Sequence, residues 1–178
     1  MEYLFRDLTE KEIDVRIATV NKNGVTLLLY KDARVDQDIL DETVTPMNWQ
    51  RDHKELKGNI YCGISIYDSD SKQWVTKWDC GKESFTESEK GESSDSFKRA
   101  GFNWGIGREL YTSPFIWINN EKANIKETKD KNGNLKYTCY DKFSVEKIKI
   151  ENKVITGLAI KNDTSNASVF VFNKKEEN

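Results

Sequence analysis

The chain has 178 residues, with 28 Lys and Arg against 30 Asp and Glu, which gives a formal net charge of −2. This length suits a single domain, and the near-balance of charge excludes a protein that is basic over its whole surface. His53 is the only histidine and no Cys-x-x-Cys pair occurs, which argues against a structural zinc site and a histidine-rich metal centre. The sequence therefore predicts no bound metal and no other cofactor.

The cysteines and the hydropathy pattern indicate the compartment. Cys62, Cys80 and Cys139 are odd in number, and two of them lie in strand-like runs, so we expect reduced thiols. The first residues lack the basic and apolar segments of a secretory signal, and no apolar run approaches the ~18 residues of a membrane span. We therefore expect a cytoplasmic protein.

Local signals predict a short helix and a hairpin at the start of the chain. The run Thr-Glu-Lys-Glu at 9–12 is a capping-box pattern and predicts a helix over 9–14. The dipeptide Asn23-Gly24 is a strong hairpin signal between two apolar-rich runs, 13–20 and 25–30.

A second helix is predicted after the hairpin. Asp32 is a suitable N-cap, an apolar face follows it, and Pro46 marks the end. The apolar face consists of Val35, Ile39 and Leu40, and the opposite face carries four acids that we expect to be solvated, Asp36, Asp38, Asp41 and Glu42.

The rest of the chain is predicted to be mainly strands around one long helix. Alternating apolar residues predict a three-stranded meander, and a polar connector over 82–93 precedes the main helix. A Lys- and Asn-rich stretch over 119–134 is expected to be a mobile excursion. The predicted strands are 49–56, 59–67 and 73–81 before the main helix at 93–111, and 135–150, 153–161 and 168–172 after it.

These elements predict an α+β fold. A mostly antiparallel sheet, formed by the hairpin and the meander, would pack on the long helix, with extra strands at the C-terminal end. The chain is expected to form a single domain over 1–178.

The main helix carries the most informative residues. Phe97, Ala100 and Trp104 follow the spacing of a buried face. Lys98 and Arg99 stand on its flank, about one helical turn after Asp95, and could hold a phosphate backbone. From the physics alone, a solvated flank with a local ion pair is the favoured interpretation, because surface charges usually contribute little.

The residues Ser-Asp-Ser-Phe-Lys-Arg-Ala at 94–100 and Trp-Gly-Ile-Gly-Arg-Glu-Leu-Tyr at 104–111 resemble the signature helix of the Rad52/Rad22 family of single-strand annealing proteins, in particular its phage-type branch. The resemblance extends over 8–115, as the core, and leaves 116–178 as a C-terminal strand extension. It implies a β-β-β-α core that assembles into rings or arcs and holds single-stranded DNA by its phosphates, with the bases exposed for pairing. No ATP hydrolysis is implied, so the protein would not be an enzyme.

The resemblance also implies which residues bind DNA. Lys98 and Arg99 match the family residues that hold the backbone, and Arg16 in the hairpin is a weaker match of the same kind. Arg108 could reach a phosphate or stabilise the helix end. Lys90, one of two bases in the acidic connector, completes the set of nucleic-acid-binding candidates. The implied partners are single-stranded DNA and further copies of this chain, in the cytoplasm of a bacterial host if the protein is phage-encoded.

Two alternatives stay open. Acid-x-Lys pairs such as Asp70-Ser-Lys72 would suit a metal-dependent DNA-processing nuclease, although such pairs arise by chance where 33% of residues are charged. Phe102 occupies a position where eukaryotic members of the family carry a base, and the connector is acidic. Both features would suit a protein-interaction module on the same fold that does not bind DNA.

Overall fold

The computed structural model describes residues 4–81, 88–129 and 131–174. The chain is α+β with antiparallel strand pairing, and it divides into two compact units. The helix–sheet unit comprises Met1–Asp7 and Lys31–Arg108, and the strand-rich unit comprises Leu8–Tyr30 and Glu109–Asn178.

The described elements follow one another in a simple order. In chain order they are a 3-10 turn at Glu10–Glu12, β1 (Asp14–Asn21), β2 (Gly24–Tyr30), α1 (Ala33–Val44), β3 (Trp49–Leu56), β4 (Asn59–Asp68), β5 (Gln73–Cys80), α2 (Ser88–Trp104), a 3-10 turn at Arg108–Thr112, β6 (Ile116–Asn119), β7 (Ile125–Lys129), β8 (Leu135–Cys139), β9 (Phe143–Glu151), β10 (Val154–Asn162) and β11 (Ala167–Asn173).

Helix α1 begins where the sequence predicted it. The Asp32 carboxylate accepts a hydrogen bond from the Arg34 amide at 2.9 Å, which is an N-cap. Ile39 and Leu40 are fully buried, as predicted. The prediction of a solvated acidic face was wrong for Asp36, which is buried and paired with a lysine rather than exposed to water.

The meander is confirmed as the sheet β3-β4-β5 of the helix–sheet unit. Trp49 pairs with Ile66 and Tyr67 pairs with Trp74, so the register follows the predicted turns. The middle of β4, residues 62–66, is buried, and helix α2 contacts β4 and β5.

Helix α2 differs from its prediction at both ends. It covers 88–104, so residues 88–93 of the predicted connector are helical, while 82–87 lie outside the described residues. The helix ends because Gly105 adopts a left-handed conformation with φ 97°. The Ile106 amide donates to Gly101 O and the Gly105 amide donates to Phe102 O, both at 3.0 Å, which is a Schellman motif. A separate 3-10 turn then replaces the predicted last helical turn.

The strand-rich unit contains a six-stranded sheet of order β11-β10-β9-β1-β2-β6 and a ribbon of β7 and β8. The predicted excursion over 119–134 was wrong, because it contains β7, which pairs with β8. The predicted strand over 135–150 is two strands, β8 and β9, and β6 was not predicted.

Gly24 has a different role from the one its motif suggested. The β1–β2 turn lies at residues 22 and 23, and Gly24 is already paired with Asn21 in the hairpin. A Cβ atom at Gly24 would lie 2.2 Å from Ile118 O and 2.6 Å from the Trp117 ring. The glycine is therefore required for the close approach of β6.

The two remaining expectations concern the cysteines and the membrane. Cys62, Cys80 and Cys139 are free thiols, and burial raises the pKa of Cys62 to about 11, so this thiol is protonated at neutral pH. Among the described helices, none has the length and apolar character needed to cross a bilayer.

Candidate nucleic-acid interface

Lys98 and Arg99 lie side by side on α2, and both are half-buried. Within the described ranges, the Lys98 ammonium forms no hydrogen bond and no ion pair. Its positive charge acts on two carboxylates of α1 and its cap, those of Asp32 and Asp36, in the direction that lowers their pKa values. A half-buried lysine stem with an unpaired ammonium is suited to contact an anion from solvent.

Arg99 is oriented by the neighbouring sheet. Its Nε lies 3.3 Å from Oδ1 of Asp79 in β5, and the two side chains are 34% and 25% exposed. The other carboxylate oxygen of Asp79 accepts from Nδ2 of Asn103 at 3.2 Å. From its spacing in the sequence, Asp95 could orient either Lys98 or Arg99, but the carboxylate that contacts Arg99 comes from β5. The ion pair uses Nε, so the guanidinium still has both terminal nitrogens for a second acceptor.

A buried ion pair lies beneath this turn of α2. The Lys31 ammonium contacts the Asp36 carboxylate, and their side chains are 1% and 0% exposed. Lys31 Nζ also lies 3.4 Å from the main-chain oxygen of Lys98 and 4.4 Å from the centroid of the Phe102 ring. Burial raises the pKa of Asp36 to about 6, although the Lys31 charge opposes this shift.

Gly101 explains how the pair fits under the helix. A Cβ atom at this position would lie 2.3 Å from Oδ1 of Asp36. The group that approaches the helix backbone at Gly101 is therefore a charged side chain of α1.

Two cationic side chains also donate hydrogen bonds to the C-terminal end of α2. Arg108 donates from Nε and Nη2 to Phe102 O at 3.1 and 2.8 Å, and from Nη2 to Asn103 O at 3.2 Å. Lys77 Nζ donates to Asn103 O at 3.0 Å and lies 4.3 Å from the Trp104 ring centroid. Both side chains therefore donate to carbonyl oxygens of the last turn of α2, at the negative end of the helix dipole.

The other two candidate residues are Arg16 and Lys90. Arg16 is exposed on β1, opposite Leu28, and belongs to the strand-rich unit. Lys90 lies in the first turn of α2, but its side chain falls outside the described residues. The structure thus places Lys98, Arg99 and Arg108 on one helix and the turn that follows it.

The tryptophans of the helix–sheet unit differ in their exposure. The Trp104 indole donates to Ile64 O at 3.0 Å, and Trp49 packs against Phe97 with ring centroids 6.2 Å apart. Trp74 and Trp78 are 44% and 36% exposed on β5. His53 is exposed on β3, with Nε2 at 3.1 Å from the Ser93 hydroxyl.

Sequence reasoning missed two residues that orient the helix. Asp79 had a usable signal, since the period of two in β5 places it on the same face as Lys77, which faces α2. Lys31 is only five residues from its carboxylate partner Asp36, but the main-chain oxygen of Lys98 and the Phe102 ring become its neighbours only when α2 packs against α1. Within the described ranges, no group of three or more His, Cys, Asp and Glu side chains is arranged to hold a metal ion.

Comparison with models of known protein families identifies the family to which the chain is related. The family model described as Rad52/22 family double-strand break repair protein matches residues 38–131, more than half of the chain. The chain belongs to the Rad52/22 family. Comparisons with curated proteins and with solved structures give no match.

The Rad52/22 match covers the meander, α2 and the strands that follow as far as β7. Lys98, Arg99 and Arg108 lie inside the matched region. Arg16, Lys31 and Asp36 lie before it, so the family match carries no information on these three residues.

Proposed function

We propose that this member of the Rad52/22 family binds single-stranded DNA and anneals complementary strands in recombination and repair, without ATP. The observation that carries the proposal is the pair Lys98 and Arg99, which stands on a helix fixed to β4 and β5 inside the region matched by the family model. A rigid support holds two cations at a constant spacing, as binding to a regular phosphate backbone requires.

In this mechanism the protein does no bond chemistry. Lys98 and Arg99 neutralise phosphates, while Arg16, Arg108 and Lys90 are proposed as secondary contacts. The strand would be held by its backbone, so the bases stay accessible to a complementary strand. Pairing is faster because one strand is already extended and its charge is partly neutralised. Neither a metal nor a nucleotide takes part in this scheme.

We further propose that the chain works as a homo-oligomeric ring or arc, with β3, β4, β5 and α2 as its β-β-β-α core. Two or three phosphate contacts in one protomer give weak binding, but the same contacts repeated along one strand give high avidity. A protein of net charge −2 can then bind DNA, because the attraction depends on the cations near the bound strand and not on the total charge. The whole chain, 1–178, would act as one annealing domain with a core at 8–115 and a strand extension at 116–178.

The origin of the protein is part of the same proposal. The resemblance of 94–111 to the phage-type branch favours a phage or prophage recombination system, acting in the cytoplasm of the bacterial host.

An annealing assay tests this function. Two labelled complementary oligonucleotides are mixed with the protein, without ATP, at low and moderate salt. We expect the wild-type protein to accelerate pairing and Lys98→Ala/Arg99→Ala to lose this effect. The matched control is Lys126→Ala/Lys129→Ala, which removes two exposed lysines of β7 and should anneal like the wild type.

Other outcomes of the assay would support the alternatives. Strand cleavage that requires added Mg²⁺ would indicate a nuclease. A folded wild-type protein that neither binds nor anneals DNA at low salt would indicate a protein-interaction module, and the annealing proposal would be wrong.

A further inference from the structure

The Lys31–Asp36 ion pair is an unusual feature of the helix–sheet unit because both side chains are completely buried. Transfer of two charges from water into a protein interior is costly, and the attraction between them seldom gives a net gain in stability over apolar residues. In addition, Oδ2 of Asp36 has no hydrogen-bond partner among the described residues. Stability alone therefore does not account for this pair.

The contacts of the pair fall on a single strip of α2. Lys31 Nζ is 3.4 Å from Lys98 O and 4.4 Å from the Phe102 ring centroid, and the Asp36 carboxylate lies directly against Gly101. These helix positions are spaced i, i+3 and i+4, which is one face of an α-helix. The pair thus contacts the buried side of α2 at the same helical turn that carries the Lys98 and Arg99 side chains.

We propose that Lys31 and Asp36 are positioning residues for DNA binding, which fix the height and rotation of α2 so that Lys98 and Arg99 meet successive phosphates. The proposal rests on the proposed function of these two cations.

The reason for a charged pair is directional specificity. An apolar contact would tolerate small shifts and rotations of the helix, whereas the ammonium must keep its acceptors within hydrogen-bond reach or remain buried and unsatisfied. Gly101 adds a steric limit, since any larger residue would meet the carboxylate at 2.3 Å. Together they allow one placement of this turn.

The main test removes both charges at once. Lys31→Met/Asp36→Ala leaves the net charge of the chain unchanged and leaves no buried charge without its partner, so we expect it to fold. Affinity for a fluorescent single-stranded oligonucleotide is measured over a range of salt concentrations, with circular dichroism as the check on folding. We expect about tenfold weaker binding, the equivalent of one charge-assisted contact. The slope of log K against log salt should fall by about 0.7 for each phosphate that a protomer no longer neutralises.

A second variant distinguishes a positioning role from a purely electrostatic one, because the two roles predict opposite changes in DNA affinity. Asp36→Asn removes a negative charge near Lys98, so simple electrostatics predicts tighter DNA binding. The positioning role predicts weaker binding with a smaller salt slope. Asp38→Asn is the matched control, because it makes the same charge change at a more exposed site of the same helix, and it should not weaken binding.

The outcomes separate the inference from the function on which it rests. If the wild-type protein does not bind DNA, the proposed function fails. If it binds, and the folded double variant binds with the same affinity and salt slope, the positioning role is overturned while the function stands. If neither Lys31→Met/Asp36→Ala nor Asp36→Asn folds, the pair serves the fold itself and the positioning role is also overturned.

Discussion

Arg99 of α2 and Asp79 of β5 form the ion pair that joins the proposed DNA-binding helix to the edge of its sheet. Arg99 Nε is 3.3 Å from Asp79 Oδ1, and Asn103 donates to the second oxygen of the same carboxylate and to Trp78 O. The pair is partly exposed, so water screens it. Its main consequence is orientation of the guanidinium, and its contribution to stability should be small.

Arg99→Ala is therefore expected to reduce the free energy of unfolding by less than about 1 kcal/mol, because Asp79 retains its bond to Asn103. The measurement is urea denaturation, combined with the salt dependence of DNA binding, whose slope should fall by about 0.7 per protomer. Arg6→Ala is the control, since it breaks another arginine–carboxylate pair, with Glu42, at a site with no proposed DNA contact. An Arg99→Ala protein that unfolds would show that this residue acts through the fold.

Gly63→Ala should destabilise the meander. The Cβ atom would lie 2.6 to 2.8 Å from atoms of the Trp78 indole, which therefore has to move. Inserting a methyl group into such a contact costs about 1–3 kcal/mol. In a double-mutant cycle, the effect of Gly63→Ala should shrink when Trp78 is already replaced by Ala. Equal effects in both backgrounds would contradict this explanation.

The buried carboxylate should give stability a specific pH dependence. Burial raises the pKa of Asp36 from 3.8 to about 6, while Lys31 and, more weakly, Lys98 act in the opposite direction. The Asp36 carboxyl group therefore binds a proton more tightly in the folded chain than in the unfolded chain. The contribution of this protonation to the free energy of unfolding grows as the pH falls from about 7 towards 4, and it is lost as the pH rises through 6.

Comparison with Asp36→Asn isolates this effect, because Asn does not titrate. The difference in the free energy of unfolding should shift in favour of the wild type as the pH is lowered through this window. Urea denaturation at pH 7, 6, 5 and 4 provides the measurement. A difference that stays constant with pH would show that folding does not shift the pKa of Asp36.

Arg108→Ala should affect the helix end more than the DNA contact. The guanidinium donates three hydrogen bonds to the carbonyls of Phe102 and Asn103, and a cation at a helix C-terminus contributes up to about 1 kcal/mol. Its loss should lower Tm by about 2–4 °C. The salt slope should fall by less than it does in Lys98→Ala. A larger change of slope with an unchanged Tm would make Arg108 a principal phosphate contact.

Part of the fold could be predicted because its causes are local. Asp32 caps α1 within two residues, and the alternation of apolar residues in β4 is a local pattern that is typical of a strand. Hydrogen bonds inside a turn and the period of a strand depend only on near neighbours in the chain. The ends of α2 were less predictable, because the helical spacing of apolar residues continues past the point where Gly105 breaks the backbone pattern.

The sequence by itself determined the α+β class, the meander, the start of α1 and the family signature over 94–111 that singles out Lys98 and Arg99. Only the tertiary structure decided that Asp36 is buried with Lys31, that Arg99 pairs with Asp79, and that β7 pairs with β8. The physical reason is that a charged side chain is placed by its partner. When that partner is distant in the chain or on another element, the same residue is solvated in one packing and buried in another.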